Sequence, residues 1–295
     1  THPDCKDLAV MFARYRLLGK RAAFLKSWIK ACSDKNRVHG NVFTLSTVTG
    51  RMSHSKPNMA QVPAVYSPYG KECRNLWTVD NPDTHSLVGT DASSLELRCL
   101  AHYIDTKKYT EEVLNGDIHK TNMKLAGLSN RDQAKTFIYA FLYGAGAAKI
   151  GKIVGGNKRD GEKLVKTFLT SLPDLYKLRI KVQKEAEKGV IKALDGRYLK
   201  IRYEHAALNT LLQGAGAIVC KQWLIEIIKR INMSGIDAKL VASIHDEYQF
   251  EVNNKDINRF CSITKEAINQ TTRTLNMKCK LDCDYKVGKT WAITH

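Results

Sequence analysis

The sequence has too few acidic residues to balance its basic ones. Its 295 residues include 29 Asp and Glu against 47 Lys and Arg, which gives a formal net charge of +18 and a pI of about 9.5. Such an excess indicates a polyanionic partner, with nucleic acid ahead of an anionic membrane. Half of the excess lies in residues 149–202, where 15 basic residues accompany 6 acidic ones. Although a charge run is often only a solvated surface, this concentration favours a face that binds a polyanion.

The sequence also lacks long uncharged stretches. The longest runs from His205 to Cys220 and has 16 residues, whereas a membrane-spanning helix needs about 20 mostly apolar ones. We therefore expect no membrane span. The first ten residues, THPDCKDLAV, contain neither Met nor a basic-then-apolar signal pattern, so we interpret them as an internal or processed beginning of a cytoplasmic protein.

The eight cysteines do not form a pattern that indicates disulfides or a metal site. They are scattered through a chain large enough to fold without cross-links, which favours reduced thiols. Cys279 and Cys283 have no second pair of ligands nearby, whereas a structural zinc site needs four.

The apolar pattern predicts an α+β fold without internal repeats. Short apolar runs broken by Gly and Pro are typical of strands and loops, and longer mixed runs are typical of helices. Because the predicted strands are interleaved with long helical stretches, a repeating βαβ sheet is disfavoured. The predicted segments are a helix over 6–32, strands and loops over 38–70, a buried strand over 86–91, a helix over 94–104, helices over 111–170 broken by glycines, a helix over 205–231 and a hairpin over 238–252.

Carboxylates follow two of the predicted strands. Asp91 ends the strand 86–91, and Asp246 and Glu247 lie at the tip of the hairpin 238–252. Most such residues are caps or turns. If the two strands are neighbours, however, Asp91 and Asp246 could bridge divalent ions, because Mg²⁺ takes a few carboxylates together with substrate phosphates. Two ions about 3.5–4 Å apart would suit an in-line phosphoryl displacement.

A second group of residues recurs every four positions. Arg131, Lys135, Tyr139 and Tyr143 would form a slowly drifting stripe on one face of a helix. Two cations followed by two aromatics would suit a triphosphate and then a base. The alternative is an ordinary surface helix, in which the aliphatic parts of Arg131 and Lys135 pack on the helix surface and the two tyrosines are half-buried.

Taken in order, these segments resemble the motifs of DNA polymerase family A, the DNA polymerase I family. The resemblance extends over about residues 35–295, and the closing residues 291–295 are most similar to the short-tailed phage replicative branch. The segments that carry it are 49–51 (TGR), 91–98 (DASSLELR), 115–119 (NGDIH), 131–144 (RDQAKTFIYAFLYG), 205–213 (HAALNTLLQ) and 244–247 (IHDE).

The resemblance implies a role for each matching residue. Asp91, Asp246 and the backbone carbonyl of Ala92 would bind two Mg²⁺ ions, for which Mn²⁺ could substitute, with Glu247 as a supporting carboxylate. Arg131, Lys135 and His119 would hold the triphosphate. Tyr139 would lie beside the incoming sugar and base, and Tyr143 near the templating position. The residues expected to contact the primer–template are Arg51, His205, Asn209, Gln213 and His245.

Some of these residues have simpler interpretations. Glu96 would exclude ribonucleotides by closing the space for a 2′-hydroxyl, although residues 93–96 also fit a helix capping box. His119 could be only a helix residue after a turn, and Gln213 could simply interrupt an apolar helix face. We favour the minor-groove role for Gln213 because Asn209 lies one turn earlier.

The resemblance also implies a right-hand architecture, with a small antiparallel palm sheet and helical fingers. The expected boundaries are 1–35 as a remnant of the thumb connection, 36–107 and 191–295 as palm, and 108–190 as fingers. Most of the thumb and any exonuclease domain would be missing. We therefore expect a DNA polymerase that uses deoxynucleoside triphosphates and primer–template DNA in phage replication, with a second polypeptide that supplies the thumb and a 3′–5′ exonuclease. The alternatives are a non-catalytic nucleic-acid-binding derivative of the fold and a two-metal nuclease.

Overall fold

The computed structural model describes residues 5–295, in which an antiparallel sheet and a long run of consecutive helices, α3 to α9, form an α+β fold. The interpretation of residues 1–4 as a processed beginning lies outside the described residues. The helices are α1 (Lys6–Ala31), α2 (Gly70–Asn75), α3 (Leu95–Ile104), α4 (Lys107–Asn115), α5 (Ile118–Ala126), α6 (Arg131–Leu142), α7 (Ala147–Ile153), α8 (Lys158–Ser171), α9 (Pro173–Ala186), α10 (Ala207–Ser234), α11 (Ile257–Thr274) and α12 (Trp291–Thr294). The strands are β1 (Asn41–Phe43), β2 (Ser53–Ser55), β3 (His85–Ala92), β4 (Val190–Lys192), β5 (Tyr198–Lys200), β6 (Ala238–Ile244), β7 (Glu247–Asn253) and β8 (Cys283–Gly288).

A four-stranded antiparallel sheet in the order β6-β7-β3-β8 positions the predicted acidic residues. One of its faces is apolar, since Tyr248, Phe250 and Val252 alternate along β7 and are fully buried. Helices α10 and α11 cover this face, and the Tyr248 hydroxyl donates a hydrogen bond to the Cys220 carbonyl at 2.7 Å. Strand β7 pairs with both β3 and β6, so the predicted strand 86–91 and the predicted hairpin 238–252 are neighbours.

Helices α4 to α9 form a second layer. In the sequence they lie after β3 and before the strand pair β6–β7. The centre of the layer is an aromatic cluster in which Phe168 meets Phe137 edge-to-face at 5.2 Å and Phe141 at 5.6 Å. Helices α7 and α8 approach closely at Gly161, where a Cβ atom would lie 1.9 Å from the Ala147 carbonyl oxygen. This layer shares one continuous hydrophobic core with the sheet and α10, and it carries the Arg131–Tyr143 stripe on α6.

Helix α10 is the central helix of the molecule. By length and composition, the helical segment Glu204–Ser234 could cross a membrane, but 67% of its most apolar window is buried within the protein. The Trp223 side chain is fully buried, and its Nε1 donates to the Thr264 carbonyl at 3.1 Å. These contacts are typical of a core helix rather than a membrane span.

Helix α1 is attached to the rest of the chain mainly through its C-terminal end. Trp28 is buried in a small cluster and meets Trp77 edge-to-face at 5.2 Å. Trp28 is therefore covered by residues of this chain. Much of the remaining helix is open, and its exposed apolar residues are Leu8, Val10, Met11, Phe12, Tyr15, Leu18, Leu25 and Ile29.

Candidate active site

Three strands bring acidic residues to the polar face of the sheet. Asp91 on β3 lies directly opposite Glu247 on β7 and Asp284 on β8. The backbone N–H of Ala92 donates to the backbone carbonyl of Asp246 at 3.1 Å, which fixes the turn that carries Asp246 against the end of β3. The predicted proximity of Asp91 and Asp246 is confirmed.

Negative charges outnumber the cations at this face, where Arg51 lies 3.4 Å from Glu96. Burial in the cleft floor, together with the negative charges of Asp246, Glu247, Asp284 and Glu96, raises the pKa of Asp91 to about 7. Burial and the Glu96 charge also raise the pKa of Asp246. A bound cation would relieve this repulsion, because it stabilises the ionised carboxylates.

The donor set fits a hard divalent cation. Within residues 5–295, no group of three or more His, Cys, Asp or Glu side chains converges to enclose a metal ion. Asp91 and Asp246 would offer a few carboxylate oxygens to a metal ion, and the remaining coordination positions would be open to other groups. Mg²⁺ is commonly bound in this way, with one or two carboxylates, water and substrate phosphates.

Glu247 differs from its acidic neighbours because it is saturated with hydrogen bonds. It accepts from Trp291 Nε1 at 2.7 Å, from Gln249 Nε2 at 2.6 Å and from the ring of His295. Burial alone would raise the pKa of Glu247, but the hydrogen bonds from His295, Gln249 and Trp291 lower it. These contacts are consistent with a supporting carboxylate rather than a free metal ligand.

Asp284 belongs to this centre although the sequence analysis did not identify it. The Ser93 hydroxyl donates to its Oδ2 at 2.6 Å, and its strand pairs directly with β3. The segment Cys283–Gly288 is largely exposed, with Asp284, Tyr285, Lys286 and Val287 in succession. Residues 281–287 (LDCDYKV) nevertheless alternate apolar and polar side chains, which is the pattern of a strand, so this signal could have revealed the strand and its carboxylate.

The Arg131–Tyr143 stripe on α6 begins with two cationic residues and continues with tyrosines toward the acidic centre. At the N-terminus of the helix, Arg131 lies beside His119, whose pKa is lowered by burial and then by the charges of Arg131 and Lys135. Further along the helix, the Tyr139 ring lies 6.1 Å from the His119 ring. Burial and the charges of Glu96, Asp246 and Asp91 raise the pKa of Tyr139, so this tyrosine faces the acids.

Glu96 connects the end of this stripe to the sheet. Its Oε1 accepts a hydrogen bond from the Tyr143 hydroxyl at 2.7 Å and lies 3.4 Å from Arg51 Nη2. The capping-box interpretation is wrong: Ser94 makes no side-chain cap, and the Ser93 hydroxyl is bonded to Asp284 instead. The Glu96 carboxylate is therefore directed into the cleft between α3 and α6.

The predicted DNA contacts fall into two groups. Arg51 and His245 line one small cavity beside the acidic centre, and the positive charge of Arg51 adds to burial in lowering the pKa of His245. Asn209 and Gln213 lie one turn apart on α10, and Gln213 Nε2 donates to Asn209 Oδ1 at 2.8 Å. His205 lies before α10, where it stacks on Tyr203 with the ring centroids 5.5 Å apart, away from the first group.

Comparison with known proteins supplies the wider context. The sequence profile of DNA polymerase family A matches residues 3–293. The DNA-directed DNA polymerase of Escherichia phage T7 is 40% identical over an alignment of 313 positions that covers 94% of this chain and 44% of that protein. DNA polymerase I of Geobacillus stearothermophilus is 26% identical over an alignment of 301 positions that covers 94% of this chain and 34% of that protein. The chain thus spans less than half the length of these relatives.

The fold is also found among solved structures. The POL domain of Pol1 from M. smegmatis in complex with DNA primer-template and dNTP superimposes with a TM-score of 0.85 at 20% sequence identity. The match covers 94% of this chain and 52% of that one. This similarity confirms the predicted α+β polymerase fold, with its small antiparallel sheet and helical layer.

Proposed function

Because this chain belongs to DNA polymerase family A, we propose that it carries the nucleotidyl-transfer centre of a template-directed DNA polymerase. The enzyme would add deoxynucleotides to a primer 3′ end, as part of phage DNA replication in the host cytoplasm. The observation that carries this proposal is the placement of Asp91 and Asp246 opposite the Arg131–Tyr143 stripe of α6. Nucleic-acid binding alone requires only positive charge, and it would not require this pairing of acids with a cationic helix.

The acidic face would hold the metal ions of the reaction. Asp91, Asp246 and the carbonyl of Ala92 would coordinate two Mg²⁺ ions, or Mn²⁺ in their place. When bound, the ions supply Lewis-acid activation of the primer 3′-hydroxyl and stabilise the leaving pyrophosphate. Glu247, fixed by its three donors, would orient the edge of the strand that follows Asp246.

The residues of α5, α6 and α3 would hold the nucleotide. Arg131, Lys135 and His119 would bind the triphosphate, since its negative charge would replace the repulsion among these basic groups with attraction. Tyr139 would lie beside the sugar and base. Glu96, held by the Tyr143 hydroxyl, would close the space beside the 2′ carbon and so select deoxyribose.

The primer–template would lie along the basic and amide side chains of the cleft. The minor-groove edge offers acceptors that are common to all base pairs, so donors there would check pair shape without reading sequence. The residues proposed for these contacts are Arg51, His205, Asn209, Gln213 and His245. Their positions between α10 and the β6–β7 turn support this path.

We assign the parts of the chain accordingly. Residues 36–107 and 191–295 would form the palm, residues 108–190 the fingers, and residues 1–35 the connection toward a thumb. A second polypeptide would supply the thumb and a 3′–5′ exonuclease. The support for this partner is the apolar surface that α1 leaves exposed, since apolar side chains at this density on one helix are typical of a contact surface.

Primer extension with release of pyrophosphate tests the proposal. The unchanged chain with primer–template, deoxynucleotides and Mg²⁺ should extend the primer. Asp246→Asn should lower the rate by about a thousandfold or more, because it removes a metal-binding charge, while primer–template affinity stays within about twofold. Binding without extension by the unchanged chain would instead indicate a non-catalytic derivative, and shortening of the DNA would indicate a nuclease.

A further inference from the structure

Asp117 contacts the N-termini of two helices at once. Its Oδ1 accepts hydrogen bonds from the backbone N–H groups of His119 and Lys120, each at 3.1 Å, and so caps α5. The Arg131 Nε, at the start of α6, donates to Asp117 Oδ2 at 2.9 Å and lies 3.3 Å from Oδ1. A single carboxylate therefore joins the backbone of His119 to the side chain of Arg131.

The contact leaves most of the Arg131 guanidinium available. A guanidinium has five N–H donors, and both contacts to Asp117 are made by Nε. The donors on the two terminal nitrogens are not used by Asp117 and can bind an anion. The Arg131 side chain also remains 46% exposed, so an anion can reach it.

This ion pair has little value as a stabilising contact. Exposed ion pairs contribute little to stability, and the Asp117 side chain is 32% exposed. A carboxylate beside an anion-binding arginine would also repel a triphosphate. Its presence there is better explained by geometry, because it restrains a long side chain that would otherwise sample many rotamers.

We propose that Asp117 is a positioning residue for nucleotide binding. By holding Arg131 through Nε and His119 through its backbone N–H, it fixes the distance between two groups that receive the triphosphate. This inference rests on the proposed function, since it assigns Asp117 a role at the same nucleotide site.

The variant Asp117→Asn tests this role separately from helix capping. Asn is as good an N-cap as Asp, so α5 keeps its cap, but the charged partner of Arg131 is lost. We expect the KM for deoxynucleotide and the inhibition constant for pyrophosphate both to rise about threefold to fivefold. The KM for primer–template, the kcat and the melting temperature should change little, because the cleft and the cap are intact.

Asp132→Asn is the matched control. Asp132 follows Arg131 directly, and within residues 5–295 its carboxylate forms no ion pair. The substitution makes the same charge change beside the same site, so it should leave the KM unchanged or lower it slightly. Equal KM values for Asp117→Asn and Asp132→Asn would overturn the proposal.

A double-mutant cycle decides whether Asp117 acts through Arg131. In an Arg131→Ala background, adding Asp117→Asn should not raise the KM further. The same rise in both backgrounds would show that Asp117 acts elsewhere and would also overturn the proposal. Failure of the proposed function is distinguishable, because the unchanged chain would then neither extend primers nor bind deoxynucleotide in equilibrium dialysis.

Discussion

Asp91 lies between carboxylates on two neighbouring strands, Glu247 on one side and Asp284 on the other. Like charges directly opposite each other across a sheet are destabilising. The arrangement therefore lowers the stability of the metal-free protein and creates a centre that attracts cations. Burial, and then this repulsion, raises the pKa of Asp91.

This repulsion predicts the pH dependence of stability without divalent cations. The pKa of Asp91 is about 7 in the folded chain against an ordinary value of 3.8. Between these values the unfolded chain releases a proton that the folded chain retains, so stability falls as the pH rises from about 4 to about 7. Allowing for solvent screening of this accessible group, the loss should be about 1–2 kcal/mol, and Asp91→Asn should abolish it in denaturation curves recorded in EDTA.

Asp282→Asn provides a control of opposite sign for that experiment. Burial raises the pKa of Asp282, but the hydrogen bonds from Lys265 and from the backbone N–H of Cys283, together with the charges of Lys265 and Arg98, lower the pKa overall. Asp282 therefore stabilises the protein above its ordinary pKa, and this contribution is lost as the pH falls. The Asn variant should be less stable than the unchanged chain at neutral pH. An unaltered pH profile in Asp91→Asn would contradict the first prediction.

Glu96→Ala should weaken the discrimination between deoxy- and ribonucleotides. The smaller side chain leaves room for a 2′-hydroxyl, and the Tyr143 hydroxyl and Arg51 lose their shared acceptor. We expect the ratio of kcat/KM values for the two sugars to fall by about tenfold to a hundredfold. Glu96→Gln, which keeps the size and loses the charge, should retain most of the discrimination. A ratio in Glu96→Ala that equals that of the unchanged chain would rule out exclusion by size.

At the scale of elements, the sequence predicted those with strong patterns. The apolar run 86–91 ends in Asp91, the hairpin 238–252 has two apolar runs around a polar tip, and the long helix beginning near 205 opens with 16 uncharged residues. Strand β8 was not predicted, although residues 281–287 (LDCDYKV) alternate apolar and polar side chains as a strand does. Its register against β3 is set by tertiary packing, which no local pattern encodes.

The same limit applies to contacts between distant elements. The Asp117–Arg131 pair and the three donors to Glu247 join side chains from different elements. Local spacing identifies the individual residues but not which pairs meet. The motif resemblance located Arg131 and Glu247 and assigned them roles, whereas their partners became visible only in the folded chain.

Gly89 lets α12 lie against the active-site strand. A Cβ atom there would lie 2.1 Å from the Thr294 carbonyl oxygen and 2.5 Å from Gln249 Nε2. Gly89→Ala should therefore displace α12, whose Trp291 donates to Glu247. We expect a loss of about 2 kcal/mol or more in the free energy of unfolding, together with reduced primer extension.

Gly19→Ala is a suitable control for Gly89→Ala. Gly19 lies within α1, and a Cβ atom at this position would meet no atom within 4 Å beyond its own stretch of helix, among the residues that the structure describes. Alanine there should stabilise the helix by up to about 1 kcal/mol. If both variants have the same melting temperature as the unchanged chain, the close packing at Gly89 does not contribute to stability.

At the scale of the molecule, attraction to DNA and retention of DNA are separate properties. The net charge of +18 provides attraction, but binding that rests on phosphate contacts weakens steeply between about 50 and 200 mM salt. We expect the isolated chain to add few nucleotides per encounter at moderate salt. A polypeptide corresponding to the upstream part of the longer relatives should lengthen the products, as measured on a gel under single-encounter conditions.

The surface responsible for this stimulation can be identified by substitution. Phe12 on α1 is 59% exposed, and Phe12→Asp should abolish the stimulation without changing the activity of the isolated chain. Met233, at the far end of α10, is 87% exposed, and Met233→Asp should leave the stimulation intact. A processive isolated chain, or equal stimulation of both variants, would contradict the proposed contact.

The central position of β3 has a consequence for how the protein is made. Asp91 leaves the ribosome well before its sheet partners, which follow about 150 and 190 residues later in the chain. At a synthesis rate of about 5–20 residues per second, this interval is on the order of ten seconds or more. Until then the strand has no neighbours, and its carboxylate is hydrated like any other on a nascent chain. A polypeptide that ends before β7 would therefore lack the proposed catalytic centre, which can assemble only late in synthesis.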